Sequence, residues 1–450
     1  MFRKFRNIWI QRGARDNVMI VSESDAPSSG HRFYFWSVFS ALEILFLLIT
    51  VLSYNKQYIH TLLCLYLFSF LPFLLSLYLG PKTTLSIRSI LVTGLIFRVT
   101  LLGSFPVFSD DVFRYLWEGK MQLHGINPYI VSPADPATLP FRDAFFELVN
   151  HKTIPTIYPP LSELFFRICM GISYNLYFFK AMLILLDMGV LFFLLSILNA
   201  RGMRRHLLLI WAWHPLVIVE VAGSGHQDII GIFFLAGSLY FMQQRQLLKP
   251  ALMLIGSFLS KLFPLALFPL MLRKQSRWPY LLLPLLTMLF YLPFLSPGTH
   301  IFTGLSVYTR TWEANASVFY LLKRLLGDPQ TAKVAIGLII LAIYIYTYRL
   351  ISDFEKAGFI VLGSYLILSP TLHPWYLLWI IPFLAINPNR AWLYLTMAAA
   401  AYYHVLIDYF EKDLWEDQLW IKCLIYLPFF VLLISEYLKK RRVSNASHPL

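Results

Sequence analysis

Apolar runs about as long as a bilayer is thick recur along nearly the whole chain. Phe33 to Leu52, Tyr58 to Leu79 and Phe178 to Leu198 are examples, and each holds the roughly 20 residues a spanning helix needs. Inside lipid no water satisfies the backbone, so only helices and closed barrels cross. Runs this long that do not alternate apolar with polar are helical. Only 14% of the residues are charged, against about 25% in a soluble domain. The sequence predicts an all-α polytopic membrane protein of about 12–14 transmembrane segments.

The net charge of +14 would point to nucleic acid in a soluble chain. Here the basic residues cluster between apolar runs, as in loops that stay on the cytoplasmic side, and no nucleic-acid partner is expected. Residues 1–32 are polar and basic, with Arg3, Lys4, Arg6, Arg12, Arg15 and Arg32, and contain no apolar stretch of a cleavable signal. Cys64, Cys169 and Cys423 have neither metal-ligand spacing nor a disulfide pattern and read as packing residues.

Placing the N-terminus inside orders the rest. Segments at about 33–52, 58–79 and 87–103 lead to a long outer stretch, 104–177. Further segments follow at about 178–199, 206–222 and 229–243. Residues 250–272 are interrupted at Ser260-Lys261 and flanked by basic residues on both sides, which predicts a hairpin with Lys261 at its outer tip. The remaining segments are about 279–295, 331–348, 357–372, 374–387, 390–408 and 419–438. One membrane domain thus spans 33–438, with outer loops 104–177 and 296–330, and the basic tail 439–450 lies inside. Nearly every basic cluster then falls on one side, giving a multi-pass plasma-membrane protein with cytoplasmic termini. Asp110, Asp111, His226, Asp228, Lys261, Glu313 and His373 gather at the opposite face.

Several constellations there carry chemical potential. In Ser109-Asp-Asp-Val-Phe-Arg-Tyr-Leu-Trp-Glu-Gly119, helical spacing puts Asp110, Arg114 and Glu118 on one face. They are either a general base with its partner or a solvated surface ion pair. Tyr158-Pro-Pro160 is a turn signal, and Leu161 to Ile172 reads as an interfacial helix. Pro215, in Trp213-His-Pro215, should kink its segment, with His214 as a packing residue. Beyond it, Gly223-Ser-Gly-His-Gln-Asp228 offers His226 and Asp228 to sugar hydroxyls or, with a third ligand, to a metal. Lys261 is costly among apolar helices unless it snorkels or binds an anion, and Arg98 raises the same question. His373 could hydrogen-bond a phosphate, while Trp375 and Tyr376 are alternatively interface anchors.

Taken in order, Ser109–Gly119, Gly125-Ile-Asn-Pro-Tyr129, Tyr158-Pro-Pro-Leu161, Gly225-His-Gln-Asp228, Ser260-Lys-Leu-Phe-Pro264, Trp312-Glu-Ala-Asn315 and His373-Pro-Trp-Tyr376 resemble the polyprenol-phosphate-sugar-dependent glycosyltransferases of the GT-C fold. The likeness is strongest to bacterial mannosyltransferases that use polyprenyl phosphomannose, and it covers roughly 90–390. Gln227 and Glu118 depart from the family's frequent Asn and Asp. The resemblance implies an inverting hexosyltransferase moving mannose from a polyprenyl-phosphate donor to a lipid or polysaccharide hydroxyl on the extracytoplasmic face. Asp110 or Asp111 would be the base, Asp110 first, with Asp111 orienting Arg114 or the sugar. Lys261, His373 and Arg98 would take the phosphate, and His226, Asp228, Glu313 and Asn315 the sugar, with Arg114, Glu118, Tyr158 and Tyr376 completing the substrate site. No nucleotide cofactor is implied, and a divalent cation stays open. The competing reading is a transporter or flippase, which also tolerates intramembrane charge and broken helices. It predicts two similar halves, and the chain shows no internal duplication.

Overall fold

The computed structural model describes residues 29–82, 86–273, 278–296 and 300–446. Most of the basic N-terminal segment, the loop residues Lys274 and Arg277 and the last four residues lie outside them. The described chain is helical throughout, with one isolated β-bridge between Ala314 and Thr371. In chain order the helices that matter are α1 (Ser29–Leu52), α2 (Ile59–Leu79), α3 (Ile87–Leu102), α4 (Asp111–Leu123), α5 (Pro160–Ile172), α6 (Leu176–Ala200), α7 (Asp228–Gln243) and α8 (Leu248–Ser260). There follow α9 (Thr303–Thr311), α10 (Val318–Leu326), α11 (Pro329–Leu350), α12 (Phe354–Leu368), α13 (Val405–Lys412) and α14 (Leu419–Ala446).

Among the described residues, five helices are long and apolar enough to cross a membrane, and a bent pair passes the same test when its two helices are taken together. That is fewer than the apolar runs alone predict, because several runs are built from short pieces. The bent pair is Arg205–Ala212 with Pro215–Gly223, angled by 47°. Pro215 supplies no N–H there, and the His214 ring accepts from the Leu216 amide at 3.2 Å instead. His214 also lies 3.0 Å from Thr396 and packs on Phe73, the packing role its position predicts. Residues 374–386 likewise begin as a 3-10 turn at Pro374. These pieces are buried in protein, where broken backbone can be satisfied.

Local signals explain many helix starts. Asn175 caps α6 through the amides of Tyr177 and Phe178, and Asp328 before Pro329 caps α11, as expected for side chains that satisfy orphan N–H groups. The 250–272 run folds as expected, with α8 ending at Ser260 and a new helical stretch beginning at Phe263. Cys169 is buried, whereas Cys64 and Cys423 are exposed on apolar helices, and all three are free.

A buried ion pair ties α3 to α6. Arg98 Nε meets Asp187 at 2.5 Å, both side chains being fully buried. The guanidinium also donates to the carbonyls of Gly94 and Ala212, and Trp211 Nε1 donates to Asp187 at 2.6 Å. Arg98 is therefore spent on structure.

Candidate active site

The long loop 104–177 folds back on itself. Helix α4 packs along α5 at Gly119, where a Cβ would stand 2.5 Å from the Phe166 carbonyl oxygen. This contact explains the glycine that ends the Ser109–Gly119 run. The residues leading into α4, its first turn and the loop from Glu147 to Tyr158 form one wall of a cavity of about 790 Å³. Lys261, the Tyr308–Ala314 stretch and His373–Tyr376 add a second wall, and residues from Tyr402 to Trp415 a third. The Ala314–Thr371 bridge, with Ala314 N donating to Pro370 O and Leu372 N to Ala314 O, holds the 296–330 loop against the His373 turn.

Asp110 and Asp111 sit at the start of α4 and both line this cavity. The Asn150 side-chain amide bridges them, donating to Asp110 Oδ1 at 2.8 Å and to Asp111 Oδ1 at 2.7 Å. Although Asp110 opens onto the cavity, protein surrounds it on its other sides. That burial, with the Asp111 charge beside it, raises its carboxyl to about 6, against the lowering pull of Asn150. A base that titrates there is suited to proton abstraction near neutrality.

Arg114 and Glu118 are not a solvated pair. Their side chains are 6% and 3% exposed and meet at 2.6 Å. Arg114 also donates to the carbonyls of Asn150, His151 and Ile154. It thereby fixes the loop that carries Asn150 to the aspartates. Thr156 has one hydroxyl proton for two carboxylates, Glu163 at 2.7 Å and Glu118 at 3.2 Å. Burial and the nearby Glu118 hold Glu163 well above the usual carboxylate range. Tyr158 lines the cavity after this knot and packs edge-on against Tyr115.

Lys261 projects into the cavity over the Tyr376 ring, 4.6 Å from its centroid. Asp228 approaches its ammonium at 3.0 Å and is held by Trp379 Nε1 at 2.7 Å. Asp228 thus acts through Lys261 and does not line the cavity. His226 follows Gly225, whose φ of +77° turns the chain into place, a conformation that favours glycine. Its ring stacks on Trp375 at 4.0 Å, and His373 stacks on the same indole at 4.3 Å. His226 lies between two carboxylates, 3.9 Å from Asp111 and 3.4 Å from Glu220. Burial brings the His373 imidazole down to about 4, so it offers a neutral hydrogen bond. Glu313 stands at the rim, paired with Lys323 at 2.6 Å. Asn315 is fully buried, with φ +48° and its amide on the Leu372 carbonyl, and it shapes the loop junction behind the cavity. Arg98 does not line the cavity.

Three features escape the sequence reading. Asn150 lies in an unremarkable polar loop. Glu220 is a carboxylate inside an apolar run, receiving Tyr66 at 3.0 Å and Tyr403 at 2.9 Å; its intramembrane position was the available signal. Lys56 lines the cavity from the α1–α2 turn, its ammonium 5.0 Å from the Phe410 ring. Among the described residues no three His, Cys, Asp or Glu side chains converge as metal ligands.

Residues 40–273 match the N-terminal domain of the alpha-(1->6)-mannopyranosyltransferase family MptA_B, and residues 330–414 match the MptB C-terminal domain. No curated protein and no solved structure matches the chain. The first match spans more than half of the sequence and includes the paired aspartates, Asn150, Glu220 and Lys261; the second includes His373, Trp375 and most of the third cavity wall. The chain belongs to the MptA_B family of mannosyltransferases and is a membrane-embedded glycosyltransferase of the GT-C kind.

Proposed function

We propose that the protein transfers mannose from a polyprenyl-phosphate donor to a hydroxyl of a glycolipid or polysaccharide, at the extracytoplasmic face of a bacterial plasma membrane. The observation that carries this reading is the Asp110–Asn150–Asp111 cluster, with its raised Asp110 carboxyl, facing a cavity that also holds Lys261. Asp110 takes the acceptor's proton as its oxygen forms a bond to C1 of the sugar. The bond from C1 to the phosphate oxygen breaks, and polyprenyl phosphate leaves with the electron pair. Asn150 keeps both carboxylates aimed at one point, and such positioning supplies much of the rate in a single displacement. Lys261, with Lys56 across the cavity, faces the growing charge on the phosphate. His373 offers it a hydrogen bond, Glu313 at the rim flanks the sugar, and His226, fully buried and not lining the cavity, braces the Trp375 indole. Arg114, Glu118, Asp228 and Asn315 hold these groups in place.

The family's description is an α-(1→6) transfer. A single displacement inverts C1, so an α product requires a β-linked donor phosphate and a primary hydroxyl acceptor. Radiolabelled mannosyl donor should pass label to membrane lipid or polymer with wild-type membranes, and Asp110→Asn should abolish it at matched expression. Equal incorporation by the variant would remove Asp110 as the base. Absence of donor-dependent transfer, across mannosyl, glucosyl and arabinosyl donors and broad acceptor extracts, would return the transporter reading.

A further inference from the structure

Glu220 is a carboxylate that the transfer described above does not use. It lies in the second helix of the bent pair, within a π-helical turn over Val219–Gly223, and its side chain is fully buried. Such widened turns recur at functional sites. This one brings Glu220 and His226 together. His226 N donates to Glu220 O at 2.9 Å, and the ring Nε2 stands 3.4 Å from Glu220 Oε2. On the other edge of the ring, Nδ1 stands 3.9 Å from Asp111 Oδ2. Gly225 permits this approach, because a Cβ there would lie 3.0 Å from the side chain of Val112, the residue after Asp111.

The surroundings suit one cation between two anions. Tyr66 donates to Glu220 Oε1 at 3.0 Å and Tyr403 to both oxygens at 2.9 Å, and hydroxyls aimed at a carboxyl fit its acceptor-only, ionised form. A buried anion is costly unless a cation pairs with it, and the ion-pair partner of Glu220 is His226. Lys180 of α6 packs under Gly225, but its ammonium goes to the carbonyls of Leu101 and Ser104. The Trp375 indole lies almost flat on the His226 ring, with 4.0 Å between centroids and 16° between planes. The face of an indole attracts a cation. On the same indole lies the neutral ring of His373.

We propose that Glu220 and His226 form a buried ion pair that holds Asp111 as an anion, so that the acceptor's proton goes to Asp110. The assignment rests on the transfer reading above and decides between its two aspartates. Asp111 has Asn150 on Oδ1 and the imidazolium beside Oδ2. Among the described residues His226 pairs with Asp111 and Glu220, and not with Asp110. Neither His226 nor Glu220 lines the cavity, so both are positioning residues. No proton passes through them: it moves from the acceptor oxygen to an Asp110 oxygen as the acceptor bonds to C1. Lys56, Tyr115, His151 and Tyr158 also face the aspartates, and the test leaves all four in place.

Glu220→Gln removes the charge and keeps an oxygen for the tyrosine hydroxyls. The direct readout is the ring-nitrogen NMR signal of His226 in full-length protein labelled with 15N-histidine, assigned by its loss in His226→Gln. At a pH of full transfer, wild type should show an imidazolium with both nitrogens protonated, and Glu220→Gln a neutral ring. A neutral ring in wild type, or an imidazolium in both, would overturn the proposal. The second readout is the acid limb of transfer. Without the imidazolium the aspartate pair holds its proton more tightly, so the limb should rise by about one pH unit. Glu220→Gln should therefore lose about tenfold at pH 6 and recover toward wild type above about pH 8, while Glu220→Asp should return the limb most of the way. A limb that stays in place while kcat or KM falls would make Glu220 a packing residue and overturn the proposal. The NMR result needs no turnover: an imidazolium that follows Glu220 in a protein inactive with every donor would keep the ion pair and sink the transferase reading alone.

Discussion

The two sides of the large cavity are built by different physics. The side from the 104–177 loop is polar and tightly bonded: Arg114 alone joins Glu118 and three carbonyls, and Asn150 joins both aspartates. The opposite side, from α13 and its flanks, is apolar and aromatic, with Leu406, Tyr409, Phe410 and Trp415 on the cavity. It is anchored at a distance, by Asp417, which accepts from Asn315 N and Tyr402 and pairs with Lys422. The contrast gives the first side the groups that can do chemistry and the second side the shape of the cavity. Changes on the polar side should be steep and specific to turnover. Changes on the aromatic side should be shallow and specific to binding.

The steepest expected effect is Asp110→Asn, a loss of about a thousandfold in kcat, in the range for removing a positioned base. If Asp111→Asn falls further, the two aspartates exchange roles. Next is Arg114→Met. It strands Glu118 as a buried charge and releases the 150–154 loop, and breaking such a pair costs about 3–5 kcal/mol. Lower thermal stability together with lost activity, measured in detergent, is the expected result. A stable, merely slow enzyme would show that the loop holds itself.

The pH dependence tests the same side. Asp110 must be ionised to accept a proton, and its carboxyl is raised to about 6. Transfer should therefore be full well above that pH and fall about tenfold per unit below it. Asn150 favours the ionised form, so Asn150→Ala should move the acid limb to higher pH. A limb that stays in place would mean that Asn150 only positions.

The polar side was also the legible one. Charges at four-residue spacing, a lysine in an apolar hairpin and a histidine beside a proline are departures from a hydrophobic background, and each marks a position that the structure uses. What spacing does not reveal is whether a group meets substrate or supports one that does. Arg98 and Asn315 look like ligands in the sequence, but each is bonded inside the fold, Arg98 to Asp187 and Asn315 to Leu372. Asn150 acquires its role only when Arg114 folds the loop. The helix runs were legible from length, but their breaks were not all so: 390–408 reads as one segment, yet it divides into Arg390–Ala398, a 3-10 stretch at Ala399–His404 and α13.

The aromatic side offered no such departures, because aromatic residues in an apolar span read as lipid anchors or core. Its test is the smallest effect. Phe410 and Trp415 face the cavity across from the aspartates, and Phe410 carries Lys56 over its ring. Truncating either to Ala removes ring surface that a sugar or lipid acceptor would cover, worth about 1–2 kcal/mol. The acceptor KM should rise several-fold while kcat and the donor KM hold. Phe410→Leu should recover most of the loss, since burial matters more than the ring. A fall in kcat instead would mean that this wall also sets the position of Lys56 toward the phosphate, and the division between a chemical side and a shaping side would fail.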